Sequence, residues 1–193
     1  MGDPTQPSIL RFENVEVAFN EAPVLHNLSF DIRRGETRVI LGAAGAGKTV
    51  LLKTALGLVT PDSGRVFVFD TDTTGFTEPQ WMELRRRMGM LFQESALFDS
   101  LNIEENVSYP LVNQPAPPPA DEVECRVLES LRFVELEHTV SKFPSELSGG
   151  MRRRVGIARA IVTDPPLVLY DSPTAGLDPI TANTIMAVVA KER

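Results

Sequence analysis

The chain has 193 residues, 42% hydrophobic and 23% charged, an ordinary globular balance with length for one good core or a core carrying an inserted subdomain. A formal net charge of −7 argues against a duplex-binding surface, which needs clustered Lys and Arg to meet phosphates. The single Cys125 excludes an internal disulfide, the polar residues 1–8 do not read as a secretory signal, and the apolar stretch 50–59, broken by Lys53, is too short to cross a bilayer.

Phe12, Val15, Val17 and Phe19 alternate with charged residues and predict a strand over 10–19. Leu28, Phe30 and Ile32 repeat the period, so the two segments are expected to pair antiparallel through a connection at 20–23. Arg38–Leu41 reads as a buried strand entering Gly42-Ala43-Ala44-Gly45-Ala46-Gly47-Lys48-Thr49, which satisfies the phosphate-loop pattern G-x-x-x-x-G-K-[ST]. Its glycines let the backbone curl until successive N–H groups face phosphate oxygens, and the helix expected over 50–56 adds its positive end. Lys48 is expected to reach the β- and γ-phosphates and the Thr49 hydroxyl to hold Mg²⁺.

A turn at 60–64 precedes a short strand at 65–69, and a helix follows over 78–87, with Arg85–Arg87 read as its solvated, dipole-favoured end. Residues 88–92 have the composition of a buried strand ending at Gln93. Short helical pieces and a proline-rich surface loop at 114–120 come next, then an amphipathic helix with Val123, Val127, Leu131 and Val134 on one stripe and Cys125 partly buried. A helix from Ser148 is expected to bury Met151, Val155, Ala158 and Val162. Leu167–Tyr170 forms an apolar strand ending in Asp171, and Asp178-Pro179 opens a last helix as cap and first residue. The pattern is α/β: a P-loop NTPase core (1–92, returning at 164–193) with an N-terminal antiparallel β subdomain and an inserted helical subdomain (93–163).

Three further motifs narrow the class. Leu147-Ser148-Gly149-Gly150-Met151, the apolar strand 167–171 and Ala175-Gly176-Leu177-Asp178 resemble, in order, the signature, second nucleotide motif and dimer-communication segment of ABC ATPases. The resemblance covers essentially the full chain. It implies ATP and Mg²⁺ as cofactors: Gly42 through Thr49 and Val50 cradle the phosphates, Asp171 and Gln93 join Thr49 at the metal, and Phe19 stacks on adenine. Ser148, Gly149 and Gly150 would contact the γ-phosphate held by a second copy in a head-to-tail dimer, with Asp178 communicating between the sites. Within that family, residues 90–98, 106–111 and 148–154 resemble the ATPases of lipid-asymmetry and toluene-tolerance transporters. This implies a transmembrane permease partner, an MCE substrate-binding protein, phospholipid cargo, and a peripheral place on the cytoplasmic face of the bacterial inner membrane.

Two departures qualify the activity. The family's glutamate after Asp171 is Ser172, a hydroxyl that is no useful proton acceptor near neutral pH, leaving Glu94 and Asp178 as substitutes. The resemblance implies a further strand after the last helix, with a histidine that contacts the γ-phosphate; here no histidine follows Asp171, since His26 and His138 both precede it, and the helix after Pro179 ought to return to a parallel strand, so a C-terminal truncation at Arg193 is expected. The expected behaviour is Mg-ATP binding with slow turnover, Ser172→Glu accelerating hydrolysis only in a chain carrying the histidine strand. The alternative is a non-hydrolysing module whose association ATP regulates. A soluble ABC protein of DNA repair or translation is a third reading, disfavoured by the acidic balance, so no nucleic-acid partner is expected.

Overall fold

The alternating segments form the first layer. In the computed structural model, which describes residues 6–93 and 95–191, β1 (Ser8–Phe19) and β2 (Ala22–Arg33) pair antiparallel, from Leu10 opposite Ile32 to Phe19 opposite Ala22. Asn20 and Glu21 at the tip have φ of 50° and 67°, the left-handed pair that a two-residue hairpin turn requires. Phe12 stacks on Phe30 across the pair, ring centroids 4.7 Å apart. The free edge of β1 takes β3 (Ser63–Val68), which takes β4 (Thr71–Asp72), giving the order β2-β1-β3-β4. Leu10, Phe12, Val15, Val17, Val66 and Val68 are its buried face.

Two helices accompany this sheet, α1 (Lys48–Ala55) and α2 (Glu78–Arg85). The second stops two residues before the expected end. Arg85 is not a solvated terminus: its Nε donates to the Leu56 carbonyl at 2.8 Å and its Nη1 to Glu78 at 2.5 Å, tying α2 to the end of α1. The dipole argument accounts for a cation there but not for the carbonyls left free where α1 stops.

The chain divides between Arg85 and Arg86 into two compact units. In the second, β5 (Met88–Leu91) and β6 (Leu167–Tyr170) pair in parallel, Met88 opposite Leu167 and Leu91 opposite Tyr170. Around them lie α3 (Ile103–Val112), α4 (Ala120–Phe133), α5 (Gly149–Ile161) and α6 (Pro179–Lys191). Asn102 caps α3 in a reciprocal capping box with Glu105. Leu91, Ile103, Val107, Leu111, Val127, Leu131, Val155 and Ile157 share one core. The stripe on α4 faces it as expected, with Val123 partly buried, and α5 buries Val155, Ala158 and Val162 there with Met151 half-buried.

Two further expectations are corrected. Residues 38–41 do not form a buried strand: no strand among the described residues pairs with them, and Val39, Ile40 and Leu41 are 64%, 38% and 89% exposed. Apolar composition identifies a segment that could be laddered, but a strand exists only where a neighbour takes its backbone groups. Cys125 is exposed, its Sγ 3.7 Å from Glu129, because it lies off the 123–127–131 stripe that α4 turns inward. Among the described residues no helix is long and apolar enough to cross a membrane.

Candidate functional site

In the first unit the phosphate loop runs from an exposed segment straight into α1. Gly47 stands at the helix's N-cap with φ 84° and Gly45 has φ 79°, both left-handed values that glycine adopts freely. A side chain at Gly47 would also lie 2.9 Å from Val24 Cγ1 and 3.0 Å from its carbonyl oxygen, so the loop closes against the start of β2. Val24 is two residues past Ala22, the partner of Phe19. The aromatic ring, 47% exposed and hence not core, therefore stands at the same hairpin end as the phosphate loop.

Lys48 Nζ donates to the carbonyls of Gly42 and Ala43, both at 2.8 Å, bridging the loop's two sides. Thr49 and Val50 follow in the first turn of α1, half-buried, with no acidic residue in that turn to oppose an anion. Ala44 and Ala46 are exposed on the loop itself. This is an electropositive helix end with a lysine poised over it, fitted to a polyphosphate.

The second unit gathers the remaining site residues. The Asp171 amide donates to the Leu91 carbonyl at 2.9 Å, so the chain leaves β5 towards Gln93 and leaves β6 towards Ser172 from adjacent ends of one parallel pair, the carboxyl edge where α/β sheets place ligands. Asp171 is 2% exposed, and Ser172 Oγ donates to its Oδ1 at 3.2 Å. Ser172 has φ 48°, an uncommon value for a residue with a Cβ. Gln93 is exposed, and Glu94 lies outside the described residues.

Ser148 caps α5, its Oγ accepting from the Met151 amide at 3.3 Å. Gly149 is open, whereas a Cβ on Gly150 would come within 2.5 Å of the Thr181 methyl, so Gly150 lets the start of α5 lie close to the start of α6. Asp178 caps α6. Its Oδ1 accepts from the amides of Ile180 and Thr181, each at 3.0 Å, and its Oδ2 from the Thr181 hydroxyl at 2.5 Å. That hydroxyl first, and then the amides, hold its carboxyl below the usual carboxylate range.

A depressed folded-state pKa gives stability that is complete above the unfolded pKa and lost as pH falls through the folded value. Helix α6 should therefore fray at its start below about pH 4. Asp178→Ala should remove that acid transition, read from the amide resonances of residues 179–182 against pH. A carboxylate so committed is poorly placed to take a proton from water.

Sequence reasoning missed the arginines of α5. Arg153, only 8% exposed, donates from Nη1 to the Ser172 carbonyl at 3.3 Å and from Nη2 to that of Ala175 at 3.2 Å, fastening the segment after β6 to α5. Arg159 holds the segment after β5 in the same way, through Ser95 and Ala96. The signal in the sequence was position, since each arginine has apolar or glycine neighbours three or four residues away on α5, where a solvated cation would not be placed.

Mg²⁺ suits these donors. Among the described residues no cluster of three or more His, Cys, Asp or Glu exists, so a cation held by buried Asp171 would complete its shell from hydroxyl, water and phosphate oxygens, as nucleotide-bound Mg²⁺ does.

Comparison with known proteins agrees with this chemistry. Residues 25–175 match the family described as ABC transporter. The chain is 38% identical over 182 residues to the methionine import ATP-binding protein MetN of Carboxydothermus hydrogenoformans, covering 93% of this chain and 53% of that one. It is 39% identical over 163 residues to the "Probable ribonucleotide transport ATP-binding protein mkl" of Mycobacterium leprae, covering 84% and 47%. The chain thus spans about half the length of these curated relatives. Among solved structures, the dimeric post-hydrolysis state of the ATP-binding cassette MJ0796 bound to ADP and Pi superposes with a TM-score of 0.85 at 33% identity, over 94% of this chain and 82% of that one. The fold is accordingly the ABC cassette fold, mixed α/β with an antiparallel β subdomain and a helical region.

Proposed function

The chain belongs to the ABC transporter family, and from that premise we propose that it is the ATP-binding, energy-coupling subunit of a transporter. One observation carries the reading: Lys48, at the start of a helix with no acidic first turn, bridges the carbonyls of Gly42 and Ala43 over a glycine-shaped anion loop. Lys48 binds the terminal phosphates, the loop amides from Gly42 to Val50 hold the chain of phosphates, and Phe19 stacks on the base. Thr49, Gln93 and Asp171 are the residues that would hold Mg²⁺. When bound, the ion neutralises phosphate charge and fixes the phosphate oxygens in place.

Two copies associate head to tail, Ser148, Gly149 and Gly150 of each serving the nucleotide of the other, and the helical segment 93–163 relays that closure to a transmembrane permease. The similar MJ0796 cassette, dimeric with ADP and Pi bound, supports the dimer. The subunit works peripherally at the cytoplasmic face of the bacterial inner membrane. Phospholipid cargo and an MCE partner are the finer reading, supported by residues 90–98, 106–111 and 148–154 alone, while relatives carry names in methionine and ribonucleotide transport.

The alternative is a nucleotide-regulated assembly module that does not hydrolyse. Ser172 and the capping role of Asp178 favour it, because neither side chain offers a free proton acceptor. Light scattering with ATP, followed by phosphate release with and without the permease, separates the readings. Permease-stimulated release supports the motor, association without release supports the module, and no ATP-dependent association in either setting defeats both.

A further inference from the structure

The segment that follows Gln93 is held in an unusual shape. Ser95 and Ala96 have φ of 66° and 47°, two consecutive left-handed residues neither of which is glycine. Such a turn persists only where its surroundings over-determine it. Three holds do so. Arg159 on α5 donates from Nη2 to the Ser95 carbonyl at 2.6 Å and from Nη1 to that of Ala96 at 2.8 Å. Asn106 on α3, fully buried, accepts from the Phe98 amide at 2.8 Å and donates Nδ2 to the carbonyls of Phe98, Leu101 and Asn102 at 2.9–3.0 Å. Gly156 leaves room for Ser95, since a Cβ there would lie 3.2 Å from Ser95 Cβ and 2.6 Å from Leu91 Cδ1.

Gln93 thus sits in a short span between two fixed points. Leu91 is anchored by pairing with Tyr170, and Ser95 is anchored by the arginine and by α5. Gln93 lies two residues from each anchor and so has little freedom. We propose that Arg159 and Asn106 are positioning residues for Gln93, holding 95–98 in its left-handed turn and thereby setting where the Gln93 amide stands. Arg159 is matched to the task because its planar fork meets two successive carbonyls, which a lysine ammonium cannot reproduce in a fixed direction.

This rests on the reading of Gln93 as a residue that contacts Mg²⁺, and the experiment keeps the two apart. Binding of a fluorescent ATP analogue to the full chain is titrated against Mg²⁺ for the parent, Gln93→Ala, Arg159→Lys, Ala96→Gly and the double variant Gln93→Ala/Arg159→Lys. Arg159→Lys should raise the Mg²⁺ midpoint on the order of 3- to 10-fold, leaving Mg²⁺-free affinity in place. Added to Gln93→Ala it should have no further effect. Ala96→Gly, exposed and sterically permitted, should shift the midpoint in the same direction by less.

If Gln93→Ala moves the midpoint and Arg159→Lys leaves it, the proposal is overturned while the reading of Gln93 stands. Additive effects overturn it equally, since Arg159 would then act without Gln93. If Gln93→Ala itself does nothing, the reading fails and takes the proposal with it. Should Arg159→Lys not fold, an unmoved midpoint in Ala96→Gly overturns the proposal instead.

Discussion

Lys48→Ala should weaken ATP binding by about 100-fold, roughly 2.7 kcal/mol, while the melting temperature hardly moves. The ammonium makes charge-assisted hydrogen bonds, each worth about 1.5–3 kcal/mol, to phosphate oxygens when nucleotide is bound. In the structure it spans only the carbonyls of Gly42 and Ala43, both exposed, so water can replace it there and the fold loses little. Titration with a fluorescent ATP analogue, beside a thermal melt, measures both halves of the expectation. An affinity within threefold of the parent, about 0.7 kcal/mol, would remove the loop from the nucleotide site.

Ser172→Glu is the second large effect. In a version of the chain extended by a histidine-bearing strand, phosphate release should rise by about 10²-fold or more, the range a placed general base contributes. Without that strand the rate should stay where it is. The geometry adds a cost: the substitution removes the Ser172 hydrogen bond to Asp171, worth about 0.5–1.5 kcal/mol, and sets a second carboxylate beside it. The Arg153 bond to the carbonyl of residue 172 does not depend on the side chain and keeps the backbone in register. Steady-state phosphate release and the melting temperature should therefore move in opposite directions. Equal rates for Ser172→Glu and parent in the histidine-bearing chain would show that 172 is not the catalytic position.

Those expectations came from the sequence because the motifs encode local chemistry. A glycine-rich loop before a lysine and a helix dictates its own shape, and alternating residues 10–19 and 28–32 pair wherever a hairpin turn such as Asn20-Glu21 allows. The cap at Asp178 and the core stripe on α4 were legible for the same reason. Residues 38–41 were misread because strand character depends on a partner that composition does not name. Cys125 was misplaced because apolar neighbours in sequence are not neighbours on a helix face. The clamps of Arg153 and Arg159 were legible only as cations out of place among apolar and glycine neighbours on α5: what they bind is backbone carbonyls of distant loops, and a carbonyl has no letter in the sequence.

The exposed run 38–41 has a kinetic consequence for the phosphate loop. On its far side the loop is gripped by α1, whose hydrogen bonds begin with the Leu51 amide and the Gly47 carbonyl at 2.9 Å. On its near side no ladder among the described residues protects the amides of 39–41. Those amides should exchange with solvent deuterium on the timescale of an open chain, while 51–55 exchange slowly. Nucleotide that fastens the loop must restrain that flank as well, so exchange at 39–46 becomes a direct gauge of occupancy, and part of the binding free energy is spent on ordering backbone rather than on phosphate.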